Sequence, residues 1–217
     1  MKKIAVMLYP NFSLQEITTV TSCLKLWFDQ ELEFLGSEKK LYASEEGFQV
    51  LPTKTLGEAD LADYSCVLLP GTVDPLPALY DERLIAFLKT LKNRDILMAA
   101  ISSAPLLLAK AGLLKETRFT AGFFMQMLDA FPFIPRENFV HRPVMEDKNV
   151  ITAIGFAFRE FAGAVLNRLG FDPGENFMLP APQRGREEDF TYYWSDGDYR
   201  AFLEELKQYE PDHPRTP

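Results

Sequence analysis

Ser102 is a residue whose type and position suggest nucleophilic chemistry. It lies directly after the apolar run at residues 96–101 and directly before a stretch of helical periodicity at residues 104–114. A hydroxyl on a sharp turn from strand to helix projects out of the sheet, and the free N–H groups that begin the helix lie near any developing oxyanion. The alternative interpretation is that Ser102 or Ser103 only caps the helix, because serine is a preferred N-cap residue.

Glu16 is the candidate general acid or base. It lies in the first turn of a helix predicted over residues 13–28, and its spacing to Val20 and Cys23 places it on the apolar face of that helix. Apolar surroundings disfavour the charged carboxylate and raise its pKa toward the range that acid–base catalysis needs. The alternative is a capping box, in which Ser13 and Glu16 hydrogen-bond the first amides of the helix.

A third candidate is the Gly71–Thr72 turn, which follows the apolar run at residues 66–69 and the intervening Pro70. A glycine at the end of a strand lets a backbone N–H approach a ligand closely, so this turn is a candidate ligand-binding site. A Pro-Gly pair is also an ordinary turn, and both interpretations stay open.

The remaining reactive side chains favour structural roles. Cys23 and Cys66 lie within apolar segments and are interpreted as small core residues, and His141 in its aromatic segment is interpreted as structural. With only His213 in addition, and no CxxC or Cys/His cluster, the sequence predicts no metal site and no cofactor. Aromatic and Met residues are dense over residues 119–133, where they form either a pocket wall or core.

The elements that must position these residues alternate along the chain. Short apolar runs, typical of strands buried on both faces, are separated by stretches with helical spacing. The predicted strands are 4–9, 66–69 and 96–101, the predicted helices are 13–28, 81–93, 104–114, 156–169 and 199–209, and the predicted hairpins are 41–51 and 139–153. This order indicates the α/β class, with a mainly parallel sheet covered by helices on both faces. Ligands of such sheets bind beyond the carboxyl ends of the strands, where Glu16, Gly71 and Ser102 all fall.

Length and composition indicate one globular domain. The 217 residues are 47% apolar and 25% charged, and they show no internal repeat or convincing domain boundary. We therefore predict one domain over residues 1–170, a C-terminal segment at 171–210 packed on the same domain, and a frayed, proline-rich tail at 211–217.

The charge balance disfavours polyanionic partners. The chain has 31 acidic and 23 basic residues, for a net charge of −8, which opposes binding to nucleic acid or to an anionic membrane surface. The apolar run that begins at Ile4 stops at Pro10, too early for a signal peptide, and no run reaches the length of a membrane span. We expect a cytoplasmic protein.

Taken together, the motifs resemble those of the ThiJ/PfpI family, also known as DJ-1-like proteins. The most specific part is Ala-Ala-Ile-Ser-Ser-Ala-Pro at residues 99–105, and it comes in order after Glu16 and Leu-Leu-Pro-Gly at residues 68–71 and before Val-Ile-Thr-Ala at residues 150–153. The resemblance covers about residues 2–170. It implies the fold of the class I glutamine amidotransferase-like superfamily, a flavodoxin-like three-layer α/β sandwich, in a protein that is usually a homodimer.

The resemblance also implies roles for the site residues. Ser102 stands where the family normally has a reactive cysteine, on the turn called the nucleophile elbow, and Glu16 matches the acidic residue that leans on it. The oxyanion donors would be the backbone N–H groups of Ser103 and of the Gly71–Thr72 turn. Enzymes of the family often carry a histidine downstream of the nucleophile, and residues 120–123 of this chain contain none.

The serine changes the chemistry that the site supports. A serine hydroxyl stays protonated at physiological pH unless a base assists it, whereas a thiol is readily brought to its anion. Oxidation of an elbow cysteine is also excluded as a sensing mechanism, because Ser102 has no sulfur.

Two functional hypotheses follow. The first is a small-molecule enzyme of hydrolase or hydratase type that acts on a carbonyl, amide or related carbon through Ser102, with Glu16 as acid or base. The second is a non-catalytic small-molecule-binding or stress-response protein with a degenerate active site.

Overall fold

The computed structural model describes residues 2–174 and 194–209. The strands are β1 (Lys3–Leu8), β2 (Leu32–Gly36), β3 (Tyr42–Ala43), β4 (Gln49–Val50), β5 (Lys54–Thr55), β6 (Tyr64–Leu69), β7 (Leu97–Ile101), β8 (Val144–Asp147) and β9 (Val150–Ala153). The α-helices are α1 (Gln15–Ser22), α2 (Leu76–Leu79), α3 (Glu82–Lys89), α4 (Pro105–Lys110), α5 (Gln126–Ala130), α6 (Phe158–Arg168) and α7 (Asp196–Tyr209). A short π-helix, Cys23–Trp27, continues α1.

Seven of these strands form one central sheet within the described residues, in the order β5-β2-β1-β6-β7-β9-β8. All neighbouring pairs are parallel except β8 and β9, which form an antiparallel hairpin. The mainly parallel α/β class predicted from the sequence is confirmed. The parallel arrangement brings the carboxyl ends of β1, β6, β7 and β9 to one edge of the sheet.

Each face of the sheet has its own apolar core, because side chains alternate between the two faces of a strand. Ala5 and Met7 of β1 point into a core with α2, α3 and α4, whereas Ile4 and Val6 point into a core with α1 and α6. Both β1 and β6 are almost wholly buried, which explains their uninterrupted apolar sequence. The helices therefore form the two outer layers of a sandwich.

Local predictions differ from the structure in several places, most clearly at β2 and β8. β2 was not predicted, because Glu33 interrupts its apolar run. The first strand of the 139–153 hairpin was predicted to begin at residue 139, but β8 begins at Val144. Pro143 has no N–H to donate to a ladder, so regular pairing begins only after it. The other hairpin, formed by β3 and β4, is confirmed.

The contacts of the chain divide it into two compact units, Met1–Met178 and Leu179–Pro217. In the second unit, the described helix α7 corresponds to the helix predicted over 199–209 and begins slightly earlier. Residues 175–193 and 210 of the segment predicted to pack on the domain, and the predicted tail at 211–217, lie outside the described residues. Among the helices that are described, none combines the length and apolarity needed to cross a membrane.

Candidate active site

Ser102 occupies a strained turn between β7 and α4. Its φ angle is +59°, a conformation that non-glycine residues rarely adopt. The turn is held to the neighbouring strand because the Ser102 N–H donates to the Ala153 carbonyl at 2.8 Å. Ala104 is the N-cap of α4, with no side-chain cap, so neither serine fulfils the capping interpretation.

Ser103 joins the elbow to the turn after β6. Its Oγ donates to the Thr72 carbonyl and accepts from the Thr72 N–H, both at 2.9 Å. The backbone N–H of Ser103 donates to no protein acceptor in the part of the chain that is described. In a nucleophile elbow this amide is one of the donors to an oxyanion.

Glu16 contacts the same turn. Its Oε2 accepts a 2.6 Å hydrogen bond from the Gly71 N–H. The capping box does not form, because the first amides of α1 are taken by another residue: Glu46, from the β3–β4 loop, accepts from the N–H groups of Leu14 and Gln15 at 3.1 and 2.9 Å. Glu46 thus leaves the Glu16 carboxylate available to the elbow.

The surroundings of Glu16 raise its pKa to about 7. Burial is the largest cause, because it disfavours the charged carboxylate, and the negative charges of Glu45 and Glu46 act in the same direction. Hydrogen bonding by the Ser102 hydroxyl and the Gly71 N–H opposes the rise without cancelling it. A carboxyl with this pKa can take up or release a proton near neutral pH.

Three glycines allow the backbone to close around Ser102. An ideal Cβ added to Gly71 would lie 2.6 Å from Ser102 Cβ, and one added to Gly155 would lie 2.8 Å from Glu16 Oε1. At Gly122 the added Cβ would lie 3.3 Å from Ser102 Cα. Gly122 and Gly155 were missed in the sequence, although Gly155 follows the end of a strand just as Gly71 does.

Ser102 and Glu16 open into a cavity of about 630 Å³. Its described lining consists of Ser13, Gln15, Glu16, Glu45, Ser102, Gly122, Phe123, Phe124, Ile154, Gly155, Phe156 and Phe158. The aromatic segment at residues 119–133 contributes both to the pocket wall and to the core, the two roles that the sequence left open. Phe123 and Phe124 line the cavity, while Phe119 is buried in the core. Among the described residues, no group of three or more His, Cys, Asp or Glu side chains is arranged to hold a metal ion.

The structure does not bring the other reactive side chains to this cavity. His141 is exposed and packs edge-on against the Phe139 ring, 5.1 Å away. Cys23 and Cys66 are buried in the core, where desolvation raises the pKa of each thiol. Their interpretation as core residues agrees with this placement.

The Gly71–Thr72 turn lies against the elbow, but its amides have protein acceptors. The Gly71 N–H donates to Glu16 and the Thr72 N–H donates to Ser103. The role of this turn in binding an oxyanion therefore stays a prediction, and it requires one of those hydrogen bonds to open.

Tyr9 is linked to Glu16 through the peptide group between Pro70 and Gly71. Its buried hydroxyl donates to the Pro70 carbonyl, and the N–H of that same peptide is the Gly71 donor to Glu16. Burial, and then the charge of Glu16, raise the pKa of Tyr9, so its hydroxyl remains a donor. Hydrogen bonds connected in this way polarise one another. The sequence analysis did not identify Tyr9.

Comparison with known sequences supports the resemblance. The sequence model of the DJ-1/PfpI family matches residues 2–168. The chain is 36% identical over 96 residues to a Bacillus subtilis protein called "Uncharacterized protease YdeA", which covers 44% of this chain and 49% of that protein. It is 30% identical over 94 residues to "DJ-1 protein homolog E" of Arabidopsis thaliana, covering 43% of this chain and 24% of that protein. The chain thus matches about half or less of the length of these relatives.

Solved structures agree on the fold. A DJ-1 superfamily protein from Salmonella typhimurium superposes with a TM-score of 0.69 and 28% identity, over 89% of this chain and all of that one. A DJ-1 superfamily protein from Agrobacterium tumefaciens gives a TM-score of 0.71 with 21% identity, over 95% of this chain and all of that one. The flavodoxin-like three-layer fold expected from the sequence is confirmed.

Proposed function

Because the chain belongs to the DJ-1/PfpI family, we propose that it is a small-molecule enzyme of hydrolase or hydratase type. It acts on a carbonyl, amide or related carbon. The observation that carries this proposal is the pairing of the strained Ser102 with Glu16, a carboxyl whose pKa is about 7, at one cavity. A relative named as an uncharacterized protease supports hydrolysis of an amide as one form of the reaction.

In the proposed reaction on an amide, the Ser102 Oγ attacks the carbonyl carbon as Glu16 takes the hydroxyl proton. The carbonyl π electrons move to oxygen, and the resulting oxyanion is bound by the free N–H of Ser103. When the C–N bond breaks, Glu16 returns its proton to the leaving amine. Water then attacks the acyl-serine carbonyl with Glu16 again as base. The bond between that carbon and the Ser102 Oγ breaks, which releases the carboxylic acid, and the proton that Glu16 gained passes back to the Ser102 Oγ.

For an unsaturated carbon, the same groups support addition of water. Ser102 orients the water molecule, Glu16 removes its proton as the C–O bond forms, and the protonated Glu16 delivers a proton to the substrate atom that gains electrons. A carboxyl with a pKa near neutrality can do both, because neither protonation state is strongly favoured at pH 7.

A second candidate function is binding without turnover, and one observation favours it. The Gly71 and Thr72 amides already donate to protein acceptors, which leaves Ser103 as the free amide of the elbow within the described chain. The described lining of the cavity also contains no histidine to assist the serine. A site with one oxyanion donor and a carboxylate base supports ligand binding more readily than rapid acyl transfer.

Substrate profiling with a matched pair of serine variants distinguishes the two functions. The purified protein, Ser102→Ala and Ser65→Ala are assayed against amides, esters, isonitriles and 2-oxoaldehydes, and each is treated with a serine-directed phosphonate. Ser65 lies near the amino end of β6, at the opposite edge of the sheet. We expect Ser102→Ala to lose turnover and labelling while Ser65→Ala keeps both. Turnover that survives in Ser102→Ala would refute the proposed mechanism through Ser102, and ligand binding without turnover or labelling would refute the enzymatic function and favour the second one.

We also propose that the protein is a homodimer, since proteins of this family are commonly dimers. Light scattering coupled to size-exclusion chromatography tests this directly, because a dimer has twice the 24.8 kDa mass of the chain.

A further inference from the structure

The cavity above Ser102 carries negative charge. Its described lining includes two carboxylates and no Lys, Arg or His side chain. Glu16 is partly buried beside Ser102, whereas Glu45 is exposed to solvent. The charges of Glu45 and of nearby Glu46 both reach Glu16 strongly enough to raise its pKa. An anionic ligand in this cavity would meet like charges from these residues.

The cavity is also aromatic. Four phenylalanines line it, at positions 123, 124, 156 and 158. Phe124 and Phe156 are 78% and 94% exposed, so their ring faces are open to a ligand. Aromatic faces attract cations within about 6 Å of the ring centre. The Phe158 ring already has a cation–π contact, because the Arg159 guanidinium lies 4.7 Å from its centre. Arg159 itself does not line the cavity.

From this combination we propose that the cavity selects ligands in which an apolar group adjoins a positively charged amine, and that it discriminates against carboxylates and phosphates. The apolar group packs on the phenylalanine rings, while the ammonium interacts with Glu45 and with the ring faces. The inference rests on the proposed function where it names these ligands as substrates. As a binding preference it is independent of turnover.

Three phenyl compounds that differ mainly in charge test the preference. Benzylamine is cationic at pH 8, benzyl alcohol is neutral and benzoate is anionic. Their dissociation constants are measured by NMR titration of the full chain at low salt. We expect benzylamine to bind at least about tenfold more tightly than benzoate, with benzyl alcohol between them, because like charges are strongly disfavoured at such a site. The difference should shrink in about 0.5 M salt, where exposed charges are screened.

Two glutamate variants locate the source of the preference. Glu45→Gln should reduce the ratio of benzylamine to benzoate affinity about threefold, in line with a partly exposed ion pair. Glu116→Gln is the control, because Glu116 has an 88% exposed side chain paired at 3.7 Å with Lys148, away from the cavity lining. It should leave the ratio unchanged.

Several results would overturn the inference: benzoate that binds as tightly as benzylamine, an equal effect of the two variants, or no benzylamine binding up to about 10 mM, the range of very weak complexes. These outcomes are separate from failure of the proposed function, which appears as no turnover of any compound in the profiling panel, or as turnover that survives in Ser102→Ala. A charge preference without turnover would support the binding preference alone.

Discussion

Glu16 and Glu33 are two glutamates on the same domain whose surroundings drive their pKa values in opposite directions. Glu33 is 6% exposed, and it hydrogen-bonds Lys3 Nζ at 2.7 Å and the Tyr64 hydroxyl at 2.5 Å. Lys54 Nζ lies 3.2 Å away. Burial opposes ionisation of Glu33, but these hydrogen bonds outweigh it and lower the pKa to about 2. At Glu16 burial prevails and the pKa rises to about 7.

The difference lies in the partners. Glu33 is compensated by two cations and a phenol, so it is charged throughout the neutral pH range and stabilises the packing of β2 between β1 and β5. Glu16 has amide and hydroxyl donors, and its charged neighbours are other carboxylates. A desolvated carboxyl without a cation is poised to exchange protons, which is typical of functional sites. The contrast supports the proposed chemical role of Glu16 and indicates a structural role for Glu33.

The largest expected effect that tests this contrast is on turnover. Glu16→Gln should lower kcat by about 10²–10⁴-fold, the range of a lost general acid or base. Glu33→Gln should keep kcat within about twofold at a temperature where it is folded, since it lies outside the cavity lining. Steady-state kinetics on a substrate from the profiling panel measure both. Similar losses in the two variants would remove the distinction between the two glutamates.

The next effect is on stability, and its sign is opposite for the two residues. The folded pKa of Glu16 lies above the ordinary value of 4.5, so ionised Glu16 destabilises the fold as pH rises from about 4.5 to 7. Glu16→Gln should therefore raise the free energy of unfolding at pH 8 by up to about 3 kcal/mol, at about 1.4 kcal/mol per pKa unit. The gain should largely vanish at pH 5.

Glu33 contributes stability above pH 4.5 that is lost as pH falls toward about 2. Glu33→Gln should cost about 3 kcal/mol at pH 7 and less at pH 3. Urea unfolding of both variants across this pH range is the measurement. Destabilisation by Glu16→Gln at pH 8 would contradict the account of Glu16 as an uncompensated charge.

A third effect concerns the pH profile of the reaction. If Glu16 acts first as a base, kcat/KM should fall about tenfold per pH unit below a pKa near 7 and level off above it. The same profile in the Glu33→Gln variant should be unchanged, because Glu33 is ionised throughout the neutral range. If kcat/KM instead falls only below about pH 4.5, burial does not raise the pKa of Glu16 in the free enzyme.

The smallest expected effect is on the pKa values of the two glutamates, and it comes from the tyrosines whose hydroxyls act on them. Tyr9→Phe removes the donor to the Pro70 carbonyl, which weakens the Gly71 N–H as a donor to Glu16, so the pKa of Glu16 should rise by a fraction of a unit. Tyr64→Phe is the matched control, because its hydroxyl donates to Glu33. NMR titration of the glutamate side chains follows both residues in each variant.

Each tyrosine variant should also lose about 1–2 kcal/mol of stability through the missing hydrogen bond. The informative result is that each variant changes a different pKa: Tyr9→Phe shifts the pKa of Glu16, and Tyr64→Phe shifts the pKa of Glu33. If Tyr9→Phe leaves the titration of Glu16 unaltered, the shared peptide does not transmit the influence of Tyr9.

Several features of the fold and the site were predictable from local sequence. Uninterrupted apolar runs identified β1, β6 and β7, because strands buried on both faces cannot carry polar side chains without partners. The positions just after those strands located Ser102 and Gly71. By the same reasoning β2 was missed: Glu33 interrupts its apolar run, and its partners Lys3 and Tyr64 lie about thirty residues away on either side along the chain.

Other features depended on contacts between distant segments. Whether Glu16 caps its own helix was decided by Glu46, thirty residues downstream, which takes the helical amides. Tyr9 acquires its role only because β1 and β6 are neighbours, which places its hydroxyl at the Pro70 carbonyl. Gly122 and Gly155 matter because their backbones approach Ser102 from separate loops.

The order of apolar runs and polar turns in the sequence determined by itself that the chain forms a parallel sheet with a hydroxyl and a carboxyl at one edge. This was possible because strands buried on both faces and amphipathic helices each leave a pattern within a short stretch of sequence. Only the tertiary structure decided which glutamate is charged and which is poised near neutrality. A pKa depends on the solvent, charges and hydrogen-bond donors around the group, and for Glu16 and Glu33 most of these are supplied by remote parts of the chain.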